Sequence, residues 1–444
     1  MACRLIEEDF KVKPVKVGIA GLGTVGSGTV NVLKRNAGEI SRRIGRPIEI
    51  AHIGARRDNP ACDISGIRVS RDVFAVANDP DIDILVELIG GTDTARELVL
   101  TAIGNGKHIV TANKALIAEH GNEIFHAAQK HGVDVAFEGA VAGGIPILKA
   151  LGEGLAANQI NWVAGIINGT GNYILTEMEQ GGRPFQEVLE EAQRLGYAEA
   201  DPTFDVEGVD AAHKLTILAS IAFGIPLQFS KVYMEGISRI TIEDVNSAAQ
   251  FGYRIKHLGI AKDTGAGIQL RVHPTLVPKE AMLSAVNGVM NAVMVDGDAV
   301  GPTLFYGAGA GAEPTASAVV ADIIEMGRVL TVDYDERVPY LGFQADQMSD
   351  ETILTIDDIS CSVYLRLHVQ DKTGVLADIT RILSEHRISI EAMVQKEVHE
   401  GLVPIVMLTH KTREGDMNAA LARIAALGTV DQDIMRIRVE TLDA

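Results

Sequence analysis

VKVGIAGLGTVGSGTVNVLKRN, residues 15–36, constrains the fold of this chain more than any other stretch. An apolar run of β type ends near Ala20, glycines follow at 21, 23 and 26, and a helical pattern begins at once. A glycine turn that feeds a buried strand into a helix is the opening of a βαβ crossover. A second strand, IEIAHIGA, ends near Ala55, and DIDILVELIGG and KHIVTANKA read as further buried strands separated by helical pattern. Strand and helix alternating after a glycine turn predict an α/β domain, a Rossmann-type doubly wound sheet over residues 1–137 with its pattern clear from 13 on.

The remainder is organised differently. INWVAGIINGTGNYIL reads as a strand turning into a helix, and PFQEVLEEAQRLG as an amphipathic helix stopped at Gly196. Two-faced strands around GIQLRVHPTLV and NAVMVDGDAVGPTLFYG are followed by GAGAGAEPTASAVVADIIEMGRVL, a second glycine-rich entry into a helix. Residues 138–330 are therefore expected to form an α+β substrate and dimerisation domain whose last helix packs back on the first domain. Residues 331–357 lack periodicity and read as a linker. From 358 to 444 the order strand, helix, strand, strand, helix, strand is that of a ferredoxin-like βαββαβ module. Three domains suit 444 residues.

Composition excludes several function classes. The net charge is −19 with no lysine/arginine block, which argues against a nucleic-acid groove or a membrane-surface role. The longest apolar run, LTILASIAFGIPL, is too short to span a bilayer. MACRLIEEDFKVKP is too charged for a secretory signal. Cys3, Cys62 and Cys361 are scattered and without metal-ligand spacing, so a reducing cytoplasm is the expected location.

In GLGTVG, Gly21 permits the tight turn, Gly23 lets backbone approach a diphosphate and Gly26 lets helix pack on strand. Thr24 and Val25 then start a helix whose N-terminus favours phosphate charge. A dinucleotide is the expected ligand; a close-packed turn without one is the alternative. Arg56 and Arg57 in GARRD stand where an NAD enzyme usually carries an acid for the ribose hydroxyl. Arginine forks suit a 2′-phosphate, so NADP(H) is preferred, with NAD(H) possible through Asp58. Solvent-facing arginines would look the same in sequence.

EADPTFDVEGVDAAHK, residues 199–214, places five carboxylates before a single lysine. If a helix starts near Gly208, Asp210 and Lys214 share a face at i and i+4. An exposed pair of that kind contributes about 0.3–0.5 kcal/mol and nothing more. Clustered carboxylates, however, repel unless a cation offsets them, and either Lys214 or a bound ammonium would do so.

Several segments together carry a family resemblance. AQRLGYAEADPTFDVEGVDAAHK (192–214), NGTGNYIL (168–175), TANKALIA (111–118), FEGAVAGGIPI (137–147) and GAGAGAEPTASAVVAD (307–322) resemble signature blocks of the homoserine dehydrogenases. The module containing DKTGVLADITRIL resembles an ACT domain. The resemblance implies NAD(P)-dependent interconversion of L-aspartate 4-semialdehyde and L-homoserine, on the route to threonine, methionine and isoleucine. It implies Lys214 as proton donor, Asp210 on the substrate hydroxyl, Glu199 on the α-ammonium and Asp205 in support. Lys114 is the other catalytic candidate and touches cofactor as well, and the sequence does not decide between the two lysines. Asn168, Gly169 and Thr170 would line the substrate cleft or simply cap a strand end. Gly196 and Gly311 complete the expected cofactor set.

The resemblance further implies a sodium or potassium site in EGAVAGGIP, formed by Glu138 and the carbonyls of Val141, Gly143 and Ile145. Oxygen ligands suit such hard cations; a glycine-rich hinge is the alternative. In the ACT-like module, Asp371 and Gly374 of QDKTGVL would receive an amino-acid effector, threonine being the natural one. A homodimer or homotetramer is expected. Two rivals remain. An acylating semialdehyde dehydrogenase needs a cleft cysteine near a base, and none of the three is well placed. A non-catalytic NADPH/amino-acid sensor would need the acid–lysine site broken.

Overall fold

The computed structural model describes residues 13–397 and 401–442. Cys3 and the charged opening segment through residue 12 lie outside the described residues. The chain divides into two compact units, one running through Pro146 and taking in Ala310–Tyr340, the other made of Ile147–Gly309 and the chain from Leu341 on.

The first unit is built on six parallel strands, β1 (Val15–Ala20), β2 (Ile48–Gly54), β3 (Arg68–Ser70), β4 (Ile84–Glu87), β5 (His108–Thr111) and β6 (Val135–Ala136), in the order β3-β2-β1-β4-β5-β6. The mainly apolar runs ILVE and HIVT are buried residue by residue, as strands covered on both faces require. The chain leaves β1 toward β2 and β3 and later returns to its other side at β4. That reversal opens a crevice at the carboxyl ends of β1 and β4. The glycine turn sits there. Gly21 has φ 105°, and a Cβ on it would lie 2.5 Å from the Leu88 carbonyl oxygen. A Cβ on Gly26 would lie 2.1 Å from the Gly21 carbonyl oxygen, so the helix Thr24–Arg35 can leave the strand only with glycine here. The helix Ala312–Val329, distant in sequence, contributes Ala316, Val319, Val320 and Ile323 to the same core as Val15, Val17 and Ile19.

The second unit contains strands β7 (Ile160–Ile166), β8 (Tyr233–Met234), β9 (Tyr253–Asp263), β10 (Ile268–Pro278), β11 (Met290–Gly297), β12 (Gly301–Ala308), β13 (Ser360–Gln370), β14 (Ile390–Gln395), β15 (Leu402–Thr409), β16 (Thr412–Arg413) and β17 (Met435–Val439). The ferredoxin-like order β17-β13-β15-β14 is present, with helices Val375–Glu385 and Glu414–Ala425. Its sheet is not separate. β17 pairs in parallel with β10 at Thr275↔Arg438 and Leu276↔Val439, so one eleven-stranded sheet runs β12-β11-β7-β9-β10-β17-β13-β15-β14, with β8 paired to β10 and β16 to β13 off that path.

Buried charges hold this seam. Helix Ile242–Gln250 opens with a capping box in which Asp244 accepts from the Thr241 amide at 3.0 Å and hydroxyl at 2.6 Å. The same carboxylate receives Arg366 Nε of β13 at 2.7 Å and Tyr364 hydroxyl at 3.1 Å. On β17, Arg438 pairs with Glu414 at 2.9 Å and with Glu235 at 2.7 Å. Asp244, Arg366, Arg438 and Glu414 are each buried opposite a hydrogen-bonded counter-charge, the condition under which burial is tolerated, while Glu235 is partly exposed.

Removing one partner leaves the other uncompensated. Asp244→Ala is expected to destabilise the second unit by about 3–5 kcal/mol, read as a lowered urea midpoint. Glu39→Ala, which breaks only exposed pairs with Arg42 and Arg43, should stay within about 0.5 kcal/mol of the parent.

Candidate active site

In the second unit the chemistry-bearing residues converge on one helix start. Gly208 adopts φ 89°, and a Cβ there would lie 3.0 Å from Val272 and 3.3 Å from the His257 ring, so glycine is the residue that lets the helix Val209–Phe223 begin at this point. Asp210 and Lys214 follow one turn apart on the inward face, and only 4% and 8% of each is exposed. Lys214 Nζ donates to Asp210 Oδ2 at 2.7 Å and to the Ile167 carbonyl at 2.7 Å, just beyond the end of β7. The pair is therefore not the solvent-facing ornament its spacing also allowed.

Asn168 completes the arrangement. Its amide nitrogen donates to Asp210 Oδ2 and to Asp205 Oδ1, both at 2.8 Å, while its oxygen accepts the Gly171 amide at 2.7 Å as the cap of helix Gly169–Gly181. One side chain thus draws two carboxylates together and fixes a helix start. Thr170 turns its hydroxyl to the Tyr197 carbonyl at 2.6 Å. Beneath both helix starts lies His257, buried; burial holds its imidazole below the usual pKa, and Nε2 faces the Glu235 carbonyl at 3.0 Å. His257 carried no sequence signal, being one histidine in an apolar strand.

The five acids of the 199–214 stretch separate. Asp205 and Asp210 meet at Asn168, and Glu207 accepts the Ser238 hydroxyl at 2.7 Å. Asp201 accepts the Thr203 amide at 3.1 Å, and hydrogen bonds from Thr203 hold its carboxyl below the usual range. Glu199 is exposed in the loop after Gly196, which has φ 78° and is itself exposed.

In the first unit a cavity of about 560 Å³ opens at the carboxyl ends of β1, β2 and β4. Gly21, Gly23, Arg56 and Arg57 all line it, and no atom would come within 4 Å of a Cβ on Gly23. Thr24 and Val25 begin the helix that Gly23 caps, with no acid in its first turn to oppose an anion. Asp58 is held by Arg71 at 2.8 Å, and that hydrogen bond lowers its carboxyl pKa. Glu87, at the end of β4, is buried and accepts from the Thr111 hydroxyl at 2.6 Å and the Ile89 amide at 2.8 Å. Burial raises its pKa against those bonds. Asn113 donates to the Gly91 carbonyl at 2.7 Å and caps helix Lys114–His131, so Lys114 opens that helix just beyond β5. Glu87, Asn113 and Arg71 were not singled out in the sequence; an acid closing an apolar strand was the available sign for the first.

Gly311, φ 133°, caps helix Ala312–Val329 in this same unit. Glu138 is buried in a 3₁₀ turn, Glu138–Ala140, its amide donating to Asp322 at 2.8 Å. The chain then turns through left-handed backbone at Ala142 (φ 54°) and Gly143 (φ 49°), between Val141 and Ile145. Such a turn reorients successive carbonyls. In the ferredoxin-like module, Asp371 is exposed and Gly374, φ 93°, caps helix Val375–Glu385. Cys62 is half-buried with its thiol pKa raised by burial, and Cys361 is buried against Glu414. No helix among the described residues is long and apolar enough to cross a membrane.

Residues 21–138 match the family model described as the NAD-binding domain of homoserine dehydrogenase, and residues 363–429 match the ACT domain. Fold and matches together define an NAD-binding oxidoreductase that carries an ACT module. Residues 146–324 match the homoserine dehydrogenase model. A homoserine dehydrogenase of Pseudomonas aeruginosa is 62% identical over 434 residues, covering 97% of this chain and 100% of the relative. A crystal structure of a homoserine dehydrogenase from Thiobacillus denitrificans superposes with a TM-score of 0.93 at 59% identity, covering 97% of this chain and 99% of that one. The chain belongs to the homoserine dehydrogenase family.

Proposed function

We propose that the protein reduces L-aspartate 4-semialdehyde to L-homoserine reversibly, with NADP(H) preferred over NAD(H), as a cytoplasmic enzyme of threonine, methionine and isoleucine biosynthesis. The observation that carries this reading is the buried ammonium of Lys214, 2.7 Å from a carboxylate and 2.7 Å from a carbonyl. A nicotinamide supplies or takes the hydride at the substrate carbon. As hydride arrives, the aldehyde oxygen gains negative charge. Lys214 gives it a proton and forms the alcohol; in the reverse direction the amine takes that proton back. Asp210 orients the ammonium and accepts from the substrate hydroxyl. Asp205, Asn168, Gly169 and Thr170 shape the cleft, and exposed Glu199 receives the α-ammonium. Lys114 is the second candidate for the proton.

For the cofactor, Arg56 and Arg57 beside the switch-point cavity suit a 2′-phosphate, and the engagement of Asp58 by Arg71 disfavours its use as a ribose acceptor. Gly196 and Gly311 stay in the proposed cofactor set. A hyperthermophilic archaeal homoserine dehydrogenase solved in complex with NADPH, with a TM-score of 0.60 and 25% identity, supports the same preference. The buried Glu138 and the turn through Ala142 and Gly143 suit a sodium or potassium ion held with the carbonyls of Val141, Gly143 and Ile145, read out as dependence of turnover on either cation. Tyr306 and Val300, exposed on and beside edge strand β12, favour assembly into a dimer or tetramer, read out by light scattering.

The purified chain should reduce NADP⁺ with homoserine as sole co-substrate and without phosphate; absence of turnover would remove the reading. Lys214→Ala should lower kcat by about 10²–10⁴-fold with cofactor affinity unchanged, and parent-like turnover would reassign the proton to Lys114. Replacing both Arg56 and Arg57 with alanine should lower kcat/KM for NADP⁺ by about tenfold, or about 1.4 kcal/mol, while that for NAD⁺ holds. The ACT module suggests threonine as feedback inhibitor at Asp371 and Gly374. Threonine should then give binding heat and inhibition that Asp371→Ala weakens; neither effect at saturating threonine would reject it.

A further inference from the structure

The first unit buries an acid that neither the hydride step nor the proton step uses. Glu87 closes β4, a strand whose other three residues are apolar, and it is fully buried. A carboxyl in such a place costs free energy unless its oxygens are hydrogen-bonded. Here the donors are all uncharged. Oε1 accepts the Ile89 amide at 2.8 Å and the Gly90 amide at 3.3 Å, and Oε2 accepts the Thr111 hydroxyl at 2.6 Å.

The bonds continue until they close on themselves. Thr111 Oγ1 accepts the Asn113 amide at 3.0 Å, and Asn113 Nδ2 donates to the Gly91 carbonyl at 2.7 Å. A ring thus runs from the end of β4 through the end of β5 and back to the turn that follows β4. Gly90 and Gly91 both take left-handed backbone, φ 71° and 72°, which folds this turn over the carboxyl. The outer side of the same turn faces the cofactor crevice, because Leu88, Ile89 and Gly90 line the cavity of about 560 Å³ together with Gly21 and Gly23. The two turns are in tight contact. A Cβ on Gly21 would lie 2.5 Å from the Leu88 carbonyl oxygen and 3.2 Å from the Ile89 side chain. A shift of the 88–91 turn therefore changes the shape of the space between them.

We infer that Glu87 is a positioning residue for the dinucleotide: through its ring with Thr111 and Asn113 it holds the 88–91 turn as a fixed wall of the crevice. A wall set in advance spares the cofactor the cost of ordering it on binding. Burial raises the Glu87 pKa, so its task is one of shape and hydrogen bonding that an uncharged side chain of the same outline can perform. Glutamine keeps an oxygen for the Ile89 amide and offers an N–H to the Thr111 oxygen. The inference rests on the dinucleotide reading of this crevice, and the two fail in different ways.

NADPH is titrated by its own fluorescence into the full-length parent, Glu87→Gln, Glu87→Ala and Thr111→Val, and NADP⁺ reduction with homoserine is measured on each. Thr111→Val keeps the side-chain outline and removes the hydroxyl at the centre of the ring. Thr111→Val and Glu87→Ala should weaken NADPH binding about tenfold and raise the KM for NADP⁺ to match. Their kcat at saturating cofactor should hold, and Glu87→Gln should bind like the parent. A role in stability alone would lower the unfolding midpoint and leave the NADPH dissociation constant where it was. Should Glu87→Ala not fold, Thr111→Val and Glu87→Gln decide the matter. Parent-like NADPH binding in Thr111→Val, binding in Glu87→Gln as weak as in Thr111→Val, or a fall in kcat at unchanged NADPH affinity would each overturn the inference. A parent that binds no NADPH would remove the dinucleotide reading itself, and the inference with it.

Discussion

The ion pair between Lys214 and Asp210 is the constraint around which the second unit is arranged. Removing two charges from water costs several kcal/mol per ion, and the cost is met only where geometry and further hydrogen bonds are good. Here the ammonium has a carboxylate and the Ile167 carbonyl, and the carboxylate has the Asn168 amide as well. Gly208 must take left-handed backbone for the helix to start where it does, and β7 must end at Ile166 for its next carbonyl to face the lysine. Strand end, helix start and cap are thus tied to one charge.

The first unit meets a different demand. Its crevice follows from the reversal of strand order beside β1, which leaves backbone and glycine facing an open space instead of side chains. Glu87 and Asn113 keep the neighbouring turns in place through bonds to the Ile89 amide and the Gly91 carbonyl. A fold of this kind offers the same crevice to many ligands, and the choice among them passes to side chains such as Arg56 and Arg57.

Electrostatics also joins the ACT module to the rest of its unit. Only two residue pairs link β10 to β17, too short a ladder to hold a module by itself. Around it Arg366 meets Asp244, Arg438 meets Glu414 and Glu235, and Arg271 meets Glu440, all across or beside the seam. Buried pairs of this sort tolerate little misalignment, so they specify one docking position where an apolar contact would accept several.

Much of this was legible without coordinates. The glycines at 21 and 26 demanded a strand-to-helix turn because only a residue without a Cβ clears the Leu88 carbonyl and the turn's own carbonyl, while Gly23 between them faces open space. The i, i+4 spacing of Asp210 and Lys214 put them on one face, and the βαββαβ order read directly from periodicity. These are local properties, set by sterics and side-chain period within one element. What the sequence could not express was distance between remote segments. Nothing local says that Asn168 reaches both Asp205 and Asp210, that His257 lies under Gly208, or that Arg71 occupies Asp58. Nor does periodicity show that β17 continues the sheet of β10, since strand pairing depends on which edges remain open after the chain has folded. Element identity and the candidate chemistry belonged to the sequence; burial, partnership and the seam were decided by tertiary packing, because a charge acquires its environment only from what folds against it.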